Sequence, residues 1–245
     1  MVDATPAAQS SHGTETTGLT ISPADRAVLR RLAAQVAELA ARPLEQEKRA
    51  LWYRHNALEA TRPVIFCDPE NSWNEIIPSG TLACAGDLAR RWEFHLRREV
   101  FWGSEMCDDR VVMPTFNVAH VYTQTDWGMA ATKTGGQDGG SYVWDAPLKR
   151  YEDLDKLRYP QIAVDYAATA RALELANDTL GDLLTVRLKT SWWWTLGMTW
   201  TLVDLRGLEQ AMLDMLDYPD ELHRLMAFLR DGHLARLDFL QRTGC

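Results

Sequence analysis

The sequence predicts an α/β fold, a parallel sheet or barrel alternating with helices, with strands for only about half of an eight-stranded barrel. Three observations predict it. Short apolar runs bounded by turn residues, at 63–67, 111–118 and 183–189, alternate with stretches of helical periodicity. The last third, from Asp182 to Cys245, reads as a strand, an aromatic loop and two helices. In such a unit, ligand chemistry sits on the loop beyond the carboxyl end of the strand. A complete eight-stranded barrel takes roughly 250 residues. With a tail and leading helices set aside, this chain offers three good core strands.

Each element has its own signal. Residues 1–20 are rich in Ala, Ser, Thr and Gly and predict a disordered tail. Ser22-Pro23-Ala24-Asp25 is a helix start, with Ser22 as N-cap and Asp25 in the capping-box place. Val28, Leu29, Leu32, Val36 and Leu39 carry that helix to about residue 42, where Pro43 stops it. A charged surface helix follows over 44–60, so 21–62 forms a leading helical segment before the barrel-like 63–245. The strand at 63–67 opens onto a polar loop containing Glu70, Asn71 and Trp73. A helix over 87–101 carries Trp92, Leu96 and Val100 on one face. The run 111–118 is the next strand, although Pro114 weakens a central placement. Gly135, Gly136, Gly139 and Gly140 mark a mobile loop or hairpin without the context of a phosphate loop. Residues 147–157 predict a turn and short helix, and 166–180 an amphipathic helix. After the strand at 183–189 and the loop 191–198, one helix is expected over 199–216 and another over 219–241.

Bulk composition narrows the classes. The chain is 46% hydrophobic and 24% charged, ordinary for a soluble globular protein. A net charge of −8 argues against a nucleic-acid partner. No apolar run approaches the ~20 residues that span a bilayer, and no secretory signal is visible. A cytoplasmic chain without membrane contact is expected. Cys67, Cys84, Cys107 and Cys245 form no CxxC pair and read as reduced thiols. With no H-x-C or C-x2-C spacing, no metal site is expected from this chain alone. Ten tryptophans favour a flat or aromatic-lined ligand site, though packing could absorb most of them.

The candidate residues each have two readings. His120 is either an acid–base group at the mouth of the second strand or a histidine satisfied by neighbouring backbone. His55, His95, His223 and His233 lie on helices, as solvent-facing or structural residues. Asp108 and Asp109 could couple as a carboxylate pair, but aspartates capping a helix-to-strand turn explain them as well and are preferred. Asp126, after a predicted strand, is a better site candidate. Trp192, Trp193 and Trp194 carry the strongest signal, because consecutive residues on extended backbone face opposite ways. At least one of them should meet a flat ligand. The apolar stripes of 200–205 and 222–229 are core faces.

Four stretches, in order across most of the chain, carry a family likeness: Pro63-Val64-Ile65-Phe66; Trp127-Gly128-Met129; Ala146-Pro147-Leu148 with Tyr151 to Leu157; and residues 183–244, including Asp217-Tyr218-Pro219-Asp220-Glu221-Leu222-His223-Arg224-Leu225-Met226. Together they resemble the uroporphyrinogen decarboxylase superfamily of (β/α)8 TIM barrels, here its N-terminal half. The resemblance implies a methyltransferase-type member more than a true decarboxylase. The decarboxylases carry an arginine-rich loop after the first strand, whereas residues 68–75 are acidic and hold no arginine. Their catalytic aspartate follows the second strand, where this chain has Asn117 to His120. The methyltransferase branch uses zinc to activate a thiol, and its ligand positions lie beyond this chain. The implied function is methyl transfer involving a small O-methyl or N-methyl compound or a corrinoid (cobalamin) protein. Zinc would come from a C-terminal half, and the partner would be that complementary half-barrel chain or a second copy. The candidate catalytic residues are His120 and Asp126. The candidate substrate-binding residues are Glu70, Asn71, Trp73, Tyr122, Trp127, Trp192, Trp193, Trp194 and Met198. A decarboxylase-type lyase and a non-catalytic subunit of a split barrel are the alternatives.

Overall fold

The computed structural model describes residues 19–136, 141–192 and 197–245. Its helices are α1 (Pro23–Ala40), α2 (Pro43–Asn56), α3 (Trp73–Ile76), α4 (Asp87–Ser104), α5 (Tyr166–Leu180), α6 (Thr199–Arg206), α7 (Leu208–Asp217) and α8 (Pro219–Thr243). Its strands are β1 (Thr115–Val118), β2 (Tyr122–Gln124), β3 (Thr132–Gly135), β4 (Tyr142–Asp145), β5 (Ile162–Val164) and β6 (Thr185–Leu188). Of the described residues, 57% are helical, and the six short strands among them form three separate two-stranded sheets. The expected half of a (β/α)8 barrel is therefore overturned: no sheet among the described residues is closed or wider than two strands. No described helix is long and apolar enough to cross a membrane.

Two compact units share the chain. Among the described residues, one takes 19–119 and 166–190 and the other 120–165 and 191–245. In the first, Ser22 caps α1 by accepting the Asp25 N–H at 3.1 Å. The Asp25 carboxylate does not close the capping box. It reaches instead to the N–H groups of Ala85 and Gly86, at 2.9 and 3.3 Å. The buried stripe of α1 (Leu29, Leu32, Ala33, Val36) shares a core with Trp92 and Leu96 of α4, Ala172, Ala176 and Leu180 of α5, and Phe116 of β1. Each fully buried leucine in such a core contributes about 1.5–3 kcal/mol. The barrel-like element that survives is β1 beside β6, paired in parallel from Thr115↔Thr185 to Val118↔Leu188, with α5 on the connection between them.

The expected strand at 63–67 does not form, and the reason is visible. Pro63 offers no N–H, and the donors that follow are taken by side chains. Asp109 Oδ2 accepts the Ile65 N–H at 2.8 Å, and Asp108 Oδ2 accepts the Cys67 N–H at 3.0 Å. Arg62 clamps Asp109 from the other side at 2.5 and 2.7 Å, holding its carboxyl down at about 2. Asp108 Oδ1 also accepts the Arg110 N–H at 3.1 Å, the local turn contact expected of it, while the bonds to 62–67 were not expected.

In the second unit, β2 and β5 pair antiparallel, as do β3 and β4. Antiparallel ribbons of three or four residues cannot extend a parallel barrel sheet. The helix expected over 199–216 is broken in two at Gly207, whose φ of +85° suits glycine alone. Across that break, Arg206 donates to Asp214 Oδ2 at 2.6 Å and to the carbonyls of Leu148 and Lys149. Leu148, Leu202, Leu205, Leu222, Leu225 and Leu229 form the core around this joint.

Candidate functional site

The second unit gathers several of the residues that the sequence singles out. His120 lies two residues beyond the end of β1, Tyr122 opens β2, and Trp192 follows β6 by four residues. The Tyr122 and Trp192 rings lie 4.4 Å apart, and His120 stacks on Trp192 at 6.0 Å with 28° between planes. The Trp192 indole Nε1 is shut off from solvent and bonds to no described residue. Burial pushes the Tyr122 hydroxyl above its ordinary value, with the Arg236 charge pulling the other way. Burial likewise lowers His120, which keeps the imidazole neutral at pH 7.

Helix α8 supplies the polar side of this cluster. Its buried stripe runs Leu222, Leu225, Leu229, Gly232, Arg236, Leu240, so a guanidinium stands where the pattern calls for an apolar side chain. Arg236 is 9% exposed, and its Nη2 donates to Gln124 Oε1 of β2 at 3.2 Å. Burial lowers its value against the raising influence of Tyr122. One turn earlier, His233 meets the Trp127 ring at 5.2 Å and lies 3.5 Å from the Thr201 hydroxyl. Burial, then the Arg236 charge, keeps His233 neutral.

Trp127 is seated by a glycine. A Cβ on Gly232 would stand 2.5 Å from Trp127 Cζ3 and 2.9 Å from Tyr159 Cδ1, closer than real side chains approach. Gly232→Ala should therefore displace the Trp127 ring and cost about 1–3 kcal/mol. Urea unfolding together with the near-ultraviolet circular dichroism of the tryptophans checks this; an unchanged spectrum and midpoint would refute the close fit.

The remaining candidates are placed as follows. Asp126 is exposed, and its Oδ1 accepts the Gly128 N–H at 2.7 Å, holding the turn that carries Trp127. Met198 precedes α6 and packs against the leucine core of its unit. Trp193 and Trp194 lie outside the described residues. Glu70, Asn71 and Trp73 belong to the other unit. There Trp73 is 2% exposed, donates its indole N–H to Asp68 at 2.9 Å and packs on Trp102 and Phe101. That is a core environment. Arg236, Gln124 and His233 were not expected at the site. The one sequence signal for them was an arginine on the apolar face of α8, at four-residue spacing from Gly232 and Leu240.

No family model matches the chain, and comparison with curated proteins and with solved structures finds no similar protein.

Proposed function

We propose that this chain is a ligand-positioning subunit for methyl transfer, akin to the methyltransferase members of the uroporphyrinogen decarboxylase superfamily, and that it acts in the cytoplasm. One observation carries the proposal: His120, Tyr122 and Trp192 form a connected aromatic group beside the buried Arg236. Stacked aromatic faces suit a flat ring or the face of a corrinoid. The Gln124–Arg236 pair places polar groups beside these rings. The sequence likeness supports methyl chemistry in particular, and the four free cysteines suit a reducing compartment.

In this reading the chain's own residues bind and orient a small methylated compound, an effect of positioning and water exclusion. A corrinoid on a partner protein would supply the methyl-accepting or methyl-donating centre. Activation of a thiol nucleophile by zinc would belong to a further chain.

Calorimetric titration of the purified protein with hydroxocobalamin, and separately with an O-methylated phenol, tests the reading. Saturable binding of at least one probe is expected. Trp192→Ala should weaken it tenfold or more, about 1.4 kcal/mol, while Trp200→Ala, at an exposed ring on α6, leaves it unchanged. If neither probe binds, or if Trp192→Ala binds as tightly as the parent, the proposal fails.

A further inference from the structure

Helix α7 wears its apolar face outward. Leu208, Met212, Met215 and Leu216 are 56%, 60%, 59% and 84% exposed, and their i, i+4, i+7, i+8 spacing puts them on one stripe. The inward side holds the small Ala211 and the buried Asp214 that Arg206 neutralises. The pattern of an ordinary surface helix is inverted here. A stripe of this length, about two turns, is what a partner helix reads when it docks. Two of its four side chains are methionines, which adapt to the shape of an incoming surface.

The charges beside the stripe select the occupant. Every ionisable residue of α7 is acidic: Glu209, Asp214 and Asp217. Asp214 is satisfied internally. Glu209 and Asp217 are exposed with no ion-pair partner among the described residues, and Asp220 adds a further exposed carboxylate at the start of α8. A second copy laid antiparallel on the stripe would set Glu209 against Asp217, like charge against like, and each whole chain carries −8. A helix with an apolar stripe flanked by lysine or arginine meets both the greasy centre and the acidic rim.

We infer that the outer face of α7 is a docking site for an amphipathic, basic-flanked helix of a different polypeptide. This goes beyond the methyl-transfer proposal and does not depend on it, since docking needs neither His120 nor Trp192.

The test uses the full chain and two fluorescein-labelled synthetic helices of identical leucine pattern, one flanked by lysine and one by glutamate. Anisotropy titration should show saturable binding of the Leu/Lys peptide and at least tenfold weaker binding of the Leu/Glu peptide. The variant Met212→Gln/Leu216→Gln should weaken the Leu/Lys peptide tenfold or more. Glu209→Gln/Asp217→Asn should weaken it several-fold and flatten its salt dependence. All four substitutions are at exposed positions, and far-ultraviolet circular dichroism verifies the fold of each variant. Indifference of the Leu/Lys peptide to the Met212/Leu216 variant would overturn the assignment, because binding would then be general attraction to an acidic protein. Equal affinity for both peptides, or no saturable binding, would do the same. So would a dimer in sedimentation velocity that Met212→Gln/Leu216→Gln dissolves, which would give the face to a second copy.

Discussion

Asp214→Ala should destabilise the protein by about 3–5 kcal/mol, the usual cost of leaving one partner of a buried ion pair alone. Asp214 is fully buried and Arg206 is 6% exposed. The carboxylate receives Arg206 twice, at 2.6 and 3.1 Å, the Tyr151 hydroxyl at 2.6 Å and the Gln210 amide at 2.8 Å. Burial alone would raise its pKa, but these donors hold it below the ordinary value. The same carboxylate, with burial, pushes the Tyr151 phenol well upward, so Tyr151 remains a donor at any physiological pH. Without Asp214, the buried guanidinium keeps the carbonyls of Leu148 and Lys149 and the face of the Tyr151 ring, but no counter-charge. Urea unfolding measures the loss, and a change below about 1 kcal/mol would show that the pair is dispensable. The double variant Arg206→Met/Asp214→Leu should regain much of the stability, because apolar replacements remove the orphaned charge as well as the bond.

The second large effect is expected at Glu93 in the other unit. Its side chain is fully buried on α4 and accepts the N–H groups of Ala83 and Cys84, at 2.9 and 2.7 Å, and the Arg97 guanidinium at 2.8 Å. Burial would raise its pKa, and these three donors bring it below the ordinary value. Burial and the Glu93 carboxylate together push the Cys84 thiol up to about 12, so Cys84 stays an unreactive thiol. Glu93→Ala strands two backbone donors and should cost about 3 kcal/mol or more. A depressed native pKa gives a sign that can be checked. The contribution of Glu93 is full above the unfolded value near 4.3 and fades as pH falls through the native value. Parent and variant unfolding free energies should therefore differ most at neutral pH and converge in acid; a gap that stays constant down to pH 3 would contradict the ionised role.

These carboxylates also show why part of the fold was legible in the sequence and part was not. Helix boundaries were written in local chemistry. Ser22 and Pro23 start α1, Pro43 starts α2 and Pro219 starts α8, and residues 166–180 form α5 as their periodicity requires. Strand pairing is a long-range decision, and there local reading failed. The apolar run at 63–67 has the composition of a buried strand, yet Asp108 and Asp109, some forty residues away, take its donors. The helical periodicity of 199–216 runs straight through Gly207, and only the positive φ of that residue marks the break between α6 and α7. At the site, the aromatic signal led to Trp192 and Tyr122, while the polar partners from α8 needed the fold to bring residue 236 back to residue 124. Trp73, a candidate ligand contact from its place on the loop after 63–67, is enclosed by Trp102 and Phe101.

The interleaving of the two units bears on how the protein is made. Residues leave the ribosome in chain order, and the α1–α4–β1 unit lacks α5 and β6 until residue 190 has emerged. Throughout the synthesis of 120–165, Phe116 and Val118 have no β6 to pair with, and the α1 stripe lacks Ala172, Ala176 and Leu180. Nascent chains of this protein thus carry an unfinished apolar core through that interval, a window in which chaperone capture competes with premature self-association.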